Sequence, residues 1–176
     1  MPKSSMRRLP ASAVLVAAAA LLSACGTLEL DQSPPFYEDL ARPGAEVNVG
    51  AAASMFSDYR RARGLPAVEP DPALIEIARD QAKRMAAVDR VTHDPGGRSF
   101  VARLKSANYD AGRAAENVGA GYHTLAEAFS GWRDSPSHNK NMLLPGATRF
   151  GIATSYAPHS KYKVFWTLVL AEPASR

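Results

Sequence analysis

Three side chains in the second half of the chain have the types needed for chemistry: His93, Glu116 and His138. A neutral imidazole accepts a hydrogen bond or binds a metal through a ring nitrogen, and a carboxylate can orient or deprotonate a bound water. Together they would suit metal-assisted hydrolysis, with His93 and His138 as ligands to a divalent ion such as zinc and Glu116 as the catalytic base. Two histidines leave much of the zinc sphere open, one short of the three protein ligands usual at catalytic zinc. A structural alternative stands beside this. Glu116, within Ala115-Glu116-Asn117-Val118, could accept hydrogen bonds from loop N–H groups, and His93, beside Asp94, could be a turn residue. The three lie 23 and 22 residues apart, so no local spacing groups them.

Their neighbours sharpen the expectation. Ser135-Pro136 reads as a helix cap with proline at the first helical position, which places His138 in the first turn. The helix dipole disfavours an imidazolium there, so His138 is expected to be neutral near pH 7. Ser135 and Ser137 have no Gly-x-Ser-x-Gly elbow and read as capping residues. Asn117 is expected to bond backbone across the floor of the site. His123 and His159 fall in predicted loops, Trp132 and Trp166 read as core, and Arg60, Arg61 and Arg63 as a solvated helix end.

The elements that must position these groups follow from pattern. Met55, Phe56 and Tyr59 supply the stripe of a helix from about Val47 to Arg63, ended by Gly64 and Pro66. Asp71-Pro72 opens a second helix, with Leu74, Ala78, Ala82 and Met85 at helical spacing, to about Val88. Asp94 to Gly97 is a turn, Ser99 caps a short third helix through Leu104 and Ala107, and Asn108 ends it. Thr124 to Glu127 is a capping box opening a fourth helix, with Leu125, Ala128, Phe129 and Trp132 on one face. Strands are expected over 148–156, over 164–170, which is apolar on both faces, and around 114–119. Helices covering both faces of a small sheet whose strands are joined mostly by turns predict an α/β fold. It is a three-layer α/β/α sandwich with a largely antiparallel sheet.

The N-terminus carries a different signal. Lys3, Arg7 and Arg8 precede the apolar run from Ala13 to Leu22, too short to span a bilayer and fitting a secretory signal. Leu22-Ser23-Ala24-Cys25 resembles the lipobox of bacterial lipoproteins, which implies cleavage after residue 24 and acylation of Cys25, the chain's single cysteine. Several buried acyl chains give stable anchoring, at about 0.8 kcal/mol per CH₂. Gly26, where an aspartate would favour inner-membrane retention, points by the same resemblance to the outer membrane of the envelope. Residues 25–45, with Pro34, Pro35, Pro43 and Gly44, are expected to be a tether, and 46–176 the folded domain. The whole chain has 21 Lys+Arg and 17 Asp+Glu. Residues 1–24 hold three of the bases and no acid, which leaves 18 against 17 in the mature chain. So small a net charge gives no case for nucleic acid.

Five segments occur in an ordered set: Tyr59 to Pro66, His93, Ala115 to Val118, Trp132 to His138, and Phe150-Gly151-Ile152-Ala153. The set resembles the bacterial branch of the CAP superfamily of cysteine-rich secretory, antigen five and pathogenesis-related proteins. The resemblance covers roughly residues 50–172. It implies a cleft lined by His93, His138 and Glu116, with the second glutamate of many eukaryotic members replaced by Ser135. It also suggests lipid, sterol-like or cell-wall ligands. Three functions are therefore expected as competitors: a lipid-anchored binding module, a metal-dependent hydrolase, and a structural lipoprotein with a vestigial cleft. Zinc is the only cofactor the residues suggest, and the oligomeric state is open.

Overall fold

The computed structural model describes residues 33–174. The signal segment and Cys25 lie outside the described residues.

Helix α1 spans Val49–Arg61, starting later than expected because Asn48 takes the cap and accepts from the Ala51 N–H. Helix α2 spans Pro72–Val88; Asp71 accepts from the Ala73 and Leu74 N–H groups, and Asp89 closes the helix at φ 48°. Helix α3, Phe100–Ser106, is capped by Ser99 and followed by left-handed Asn108. Helix α4, Leu125–Asp134, carries the full Thr124–Glu127 capping box, and α5 spans Pro136–Met142. Strands β1 (Glu69–Pro70), β2 (Ala111–Ala120), β3 (Arg149–Tyr156) and β4 (Val164–Pro173) form one sheet in the order β1-β3-β4-β2. The β2–β4 and β3–β4 pairs are antiparallel and the short β1–β3 pair is parallel. The fold is the expected α/β sandwich.

Strand β4 is buried from Val164 to Ala171, as a strand covered on both faces must be. Its even-numbered residues pack with Phe56, Leu125, Ala128, Trp132 and Met142 from α1, α4 and α5. Val169 and Ala171 pack instead with Leu74, Ile77 and Ala78 of α2 and with Phe100 and Leu104 of α3. Trp132 and Trp166 meet edge to face at 6.3 Å, and the Trp166 indole donates to the Tyr122 carbonyl. Both are core, as expected.

Helix α2 lies against β3 backbone to backbone. A Cβ on Gly151 would stand 2.2 Å from the Leu74 carbonyl carbon and 2.4 Å from the Ile75 nitrogen. Neither neighbour is a movable side-chain end, so Gly151→Ala must push the helix off the sheet. The expected loss is about 2–3 kcal/mol in urea unfolding; a loss under about 0.5 kcal/mol would mean that α2 and β3 are not so closely apposed.

Two expectations are corrected here. The stretch read as a tether, residues 25–45, is incorporated in the domain over its second half. Pro35–Tyr37 form a 3-10 turn, Leu40 is 3 % exposed and Phe36, Ala41 and Ala45 pack against the α1/α4 core. The Leu40 N–H donates to the His123 carbonyl at 2.8 Å. These apolar residues are too sparse to show periodicity, yet each finds a place on the core. Arg60, expected at a solvated helix end, is wholly buried. Its guanidinium donates to the carbonyls of Pro66, Met142, Leu144 and Ala147 at 2.8–3.1 Å.

Candidate functional site

Strand β2 is an edge strand, and it organises the site. In its register Glu116 faces Val169 and Asn117 faces Leu168, so the two side chains leave opposite faces of the sheet. Glu116 turns toward the α2/α3 layer and Asn117 toward the layer of α1, α4 and α5.

On the first face both carboxylate oxygens of Glu116 are engaged. Arg103 of α3 donates through one terminal nitrogen to Oε2 at 2.7 Å and through the other to Oε1 at 2.9 Å. The His93 Nδ1 lies 2.8 Å from Oε1, and Arg103 also donates to the His93 carbonyl at 3.0 Å. The Glu116 and Arg103 side chains are each 2 % exposed, while the His93 side chain is 58 % exposed. The hydrogen bond to Glu116 holds the His93 pKa above its ordinary value, against a smaller lowering from burial.

On the second face Asn117 donates to the His138 carbonyl at 3.0 Å, the backbone bond expected of it. Asn141, one turn further along α5, donates to Asn117 Oδ1 at 2.9 Å and to the Glu116 carbonyl at 3.1 Å. Helix α5 is thus pinned to the edge strand. His138 is held below its ordinary pKa by burial first and by the charge of nearby His93 second. The expected direction holds, with burial rather than the helix dipole as its main cause. Ser135 departs from expectation. It occupies the cap position but makes no side-chain bond to the helix backbone. Its hydroxyl lies 2.9 Å from His138 Nδ1 and 3.4 Å from the Ser137 hydroxyl, so it orients the ring instead.

His93, Glu116 and His138 therefore come together around the β2 edge. The Nε2 atoms of both rings have no hydrogen-bond partner among the described residues. A hollow of about 480 Å³ is lined by Tyr122, His123 and Glu127 and includes none of the three. His123 and His159 sit apart from the trio; His123 lies 4.0 Å from Asp39 at the surface. Sequence reasoning missed Arg103 and Asn141. A glutamate between Ala115 and Asn117 in a strand beside the core signals a buried carboxylate that needs a cation, but nothing local says which arginine supplies it.

With Glu116 saturated and each Nδ1 engaged, two Nε2 atoms remain. Among the described residues no three His, Cys, Asp or Glu side chains are arranged to hold an ion. These residues do not fit a three-ligand catalytic centre.

The two histidines should titrate in a fixed order. In a ¹H–¹⁵N titration His93 is expected to lose its proton at higher pH than His138; the reverse order would deny the Glu116 bond its dominant influence. The stability contributed by the His93–Glu116 pair is full below the ordinary imidazole value of about 6.5 and fades as pH rises through the higher folded-state value. His138 acts oppositely, since its protonation at acid pH opposes folding.

The molecule is a three-layer α/β sandwich whose edge strand β2 carries the buried Arg103–Glu116 couple between His93 and the helix that bears His138. A family model of the cysteine-rich secretory protein (CAP) family matches residues 53–170, and the chain belongs to that family. The fold is shared with an extracellular SCP-domain protein from Bacillus anthracis, at 22 % identity and TM-score 0.61 over 70 % of this chain and 39 % of that one. An outer surface protein from Borrelia burgdorferi matches at 16 % identity and TM-score 0.65, over 74 % and 99 % of the two chains. A cysteine-rich secretory protein from Staphylococcus aureus matches at 16 % and 0.57, over 69 % and 37 %. This chain thus spans well under half of the Bacillus and Staphylococcus proteins. No curated protein matches it.

Proposed function

We propose that this chain is an exported envelope protein, held to a membrane by lipid on Cys25, whose CAP domain binds a lipid or cell-wall ligand at His93 and His138. The observation that carries the binding reading is the saturation of Glu116. Its two oxygens accept from Arg103 and meet His93, so the carboxylate is a fixed frame for the ring. What is left without a partner among the described residues is a pair of Nε2 atoms, suited to the phosphate or hydroxyl oxygens common to lipid headgroups and wall polymers. Asn117 and Ser135 set the position of His138. The hydrolase reading requires a Glu116 oxygen free to face water, and both are engaged. Support for the anchor is the Leu22-Ser23-Ala24-Cys25 sequence after an apolar run, and the outer membrane is favoured by Gly26.

The test is mass spectrometry of the full chain purified from its native membrane. A recurrent phosphate- or hydroxyl-bearing compound should accompany the wild type and be lost from His93→Ala and His138→Ala. Wild-type protein that is empty in repeated preparations sinks the proposal. Zinc binding lost in both variants would revive the hydrolase instead. Cys25→Ser should release the domain from the membrane or leave the signal uncleaved.

A further inference from the structure

The apolar stripe of α2 runs on past the end of the sheet. Leu74, Ile77, Ala78, Ala82 and Met85 are buried, but Val88, next on that stripe, is 48 % exposed. Val91 follows at 39 %, and Ala87 beside them is exposed too. The tip of the β3–β4 hairpin stands next to these residues. Ser160 donates to Asp89, and a hollow of about 220 Å³ is lined by Ala86 and Asp89 on one side and by Ala157 to Ser160 on the other.

The charge of this end is one-sided. Over Met85–Thr92 and Tyr156–Lys163 three bases, Arg90, Lys161 and Lys163, stand against one acid, Asp89. Among the described residues Arg90 and Lys161 form no ion pair. Lys161 rests over the Tyr162 ring at 4.9 Å, and Lys163 donates to the Pro158 carbonyl. A single exposed valine is ordinary, but two within a turn of each other beside unpaired cations suit the headgroup layer of an anionic bilayer.

The path of the chain selects the bilayer as occupant. Strand β2 finishes at this same end, where Ala120 pairs with Phe165 and the Gly121 N–H donates to the Val164 carbonyl. Just beyond, the Leu40 N–H is tied to the His123 carbonyl. Fifteen residues separate Leu40 from Cys25, and even fully extended they span only roughly 50 Å. An acyl group on Cys25 therefore keeps this end of the sheet within reach of the membrane.

We propose that the end of the domain bearing Val88, Arg90, Val91 and Lys161 docks on an anionic bilayer, the valines entering the headgroup layer and the two cations meeting lipid phosphates. This docking rests on the reading of Cys25 as a lipid anchor, and it sets which way the domain faces.

The test uses protein purified from its native membrane and placed in vesicles of phosphatidylcholine, with or without phosphatidylglycerol, that include a lipid with a quencher on its acyl chain. Val91→Cys and Asp110→Cys each supply a thiol for a fluorescent label; Asp110, exposed just before β2, marks the opposite end of the sheet. The label at position 91 should be quenched and that at 110 should not. Arg90→Gln with Lys161→Gln should lower the quenching at least about threefold in the phosphatidylglycerol vesicles. Equal quenching at both positions, or quenching at 91 that the paired change leaves intact, overturns the face. So does a label at 91 that becomes shielded in detergent as protein concentration rises, which marks a second copy there. Wild type that takes the label has a free Cys25 and refutes the anchor; its retention on phosphatidylglycerol vesicles alone would still uphold the face, and its loss from both kinds would sink the face as well. Unlabelled wild type retained on both, with 91 unquenched in the variant, keeps the anchor and sinks the face.

Discussion

Arg103→Met is expected to cost about 3–5 kcal/mol of folding stability at neutral pH, the penalty for leaving one member of a buried ion pair without its partner. Arg103 and Glu116 are both 2 % exposed at the side chain, and the guanidinium meets both carboxylate oxygens. Methionine keeps the stem's volume but removes every donor. Glu116 would then hold a charge in the α2/α3 layer with only the His93 ring beside it. The companion variant is the sharper test. Arg103→Met with Glu116→Leu deletes both charges, and the double change should be less harmful than Arg103→Met alone. Urea unfolding reads both. A single variant within about 1 kcal/mol of wild type, or a double that simply adds, would mean that the pair is not buried as described.

The second large effect belongs to Arg60. It has no carboxylate partner; its five donors reach four main-chain carbonyls, one at the last residue of α5 and two in the turn that follows it. Burial lowers its pKa, and the ring of carbonyls holds the charge in place of water. Arg60→Ala strands these carbonyls without donors, at about 1–3 kcal/mol for each that water cannot reach. The expected loss is about 4 kcal/mol by that measure. Lysine should rescue little, since a single ammonium cannot cover four acceptors spread over a planar fork. Substantial rescue in Arg60→Lys would show that charge alone, not the fork, holds the turn.

What the sequence made legible was local. Asp71-Pro72 with apolar residues at 74, 78, 82 and 85 specified α2 within a turn, and Thr124 with Glu127 specified the start of α4. Such signals act within a few residues, so they survive without knowledge of the fold. Strand β1 was invisible for the opposite reason: its two residues pair with Arg149 and Phe150, some eighty positions on. Arg60 looks like Arg61 and Arg63 until carbonyls more than eighty residues away surround it. The histidine site shows both cases. Its three members could be grouped only through a resemblance to an ordered set of motifs. Arg103, which fixes the carboxylate, left no mark on the sequence because its role is defined wholly by a strand thirteen residues later.

The same arginine-to-carbonyl tie has a consequence for how the domain responds to its surroundings. The chain's single cysteine precedes the described residues, so no disulfide can close within the folded part. Joining α1 to the α5–β3 turn falls to hydrogen bonds of Arg60, and neither glutathione nor a periplasmic oxidase has a bond there to make or break. The domain is therefore indifferent to redox potential: its melting curve should superimpose with and without a strong thiol reductant.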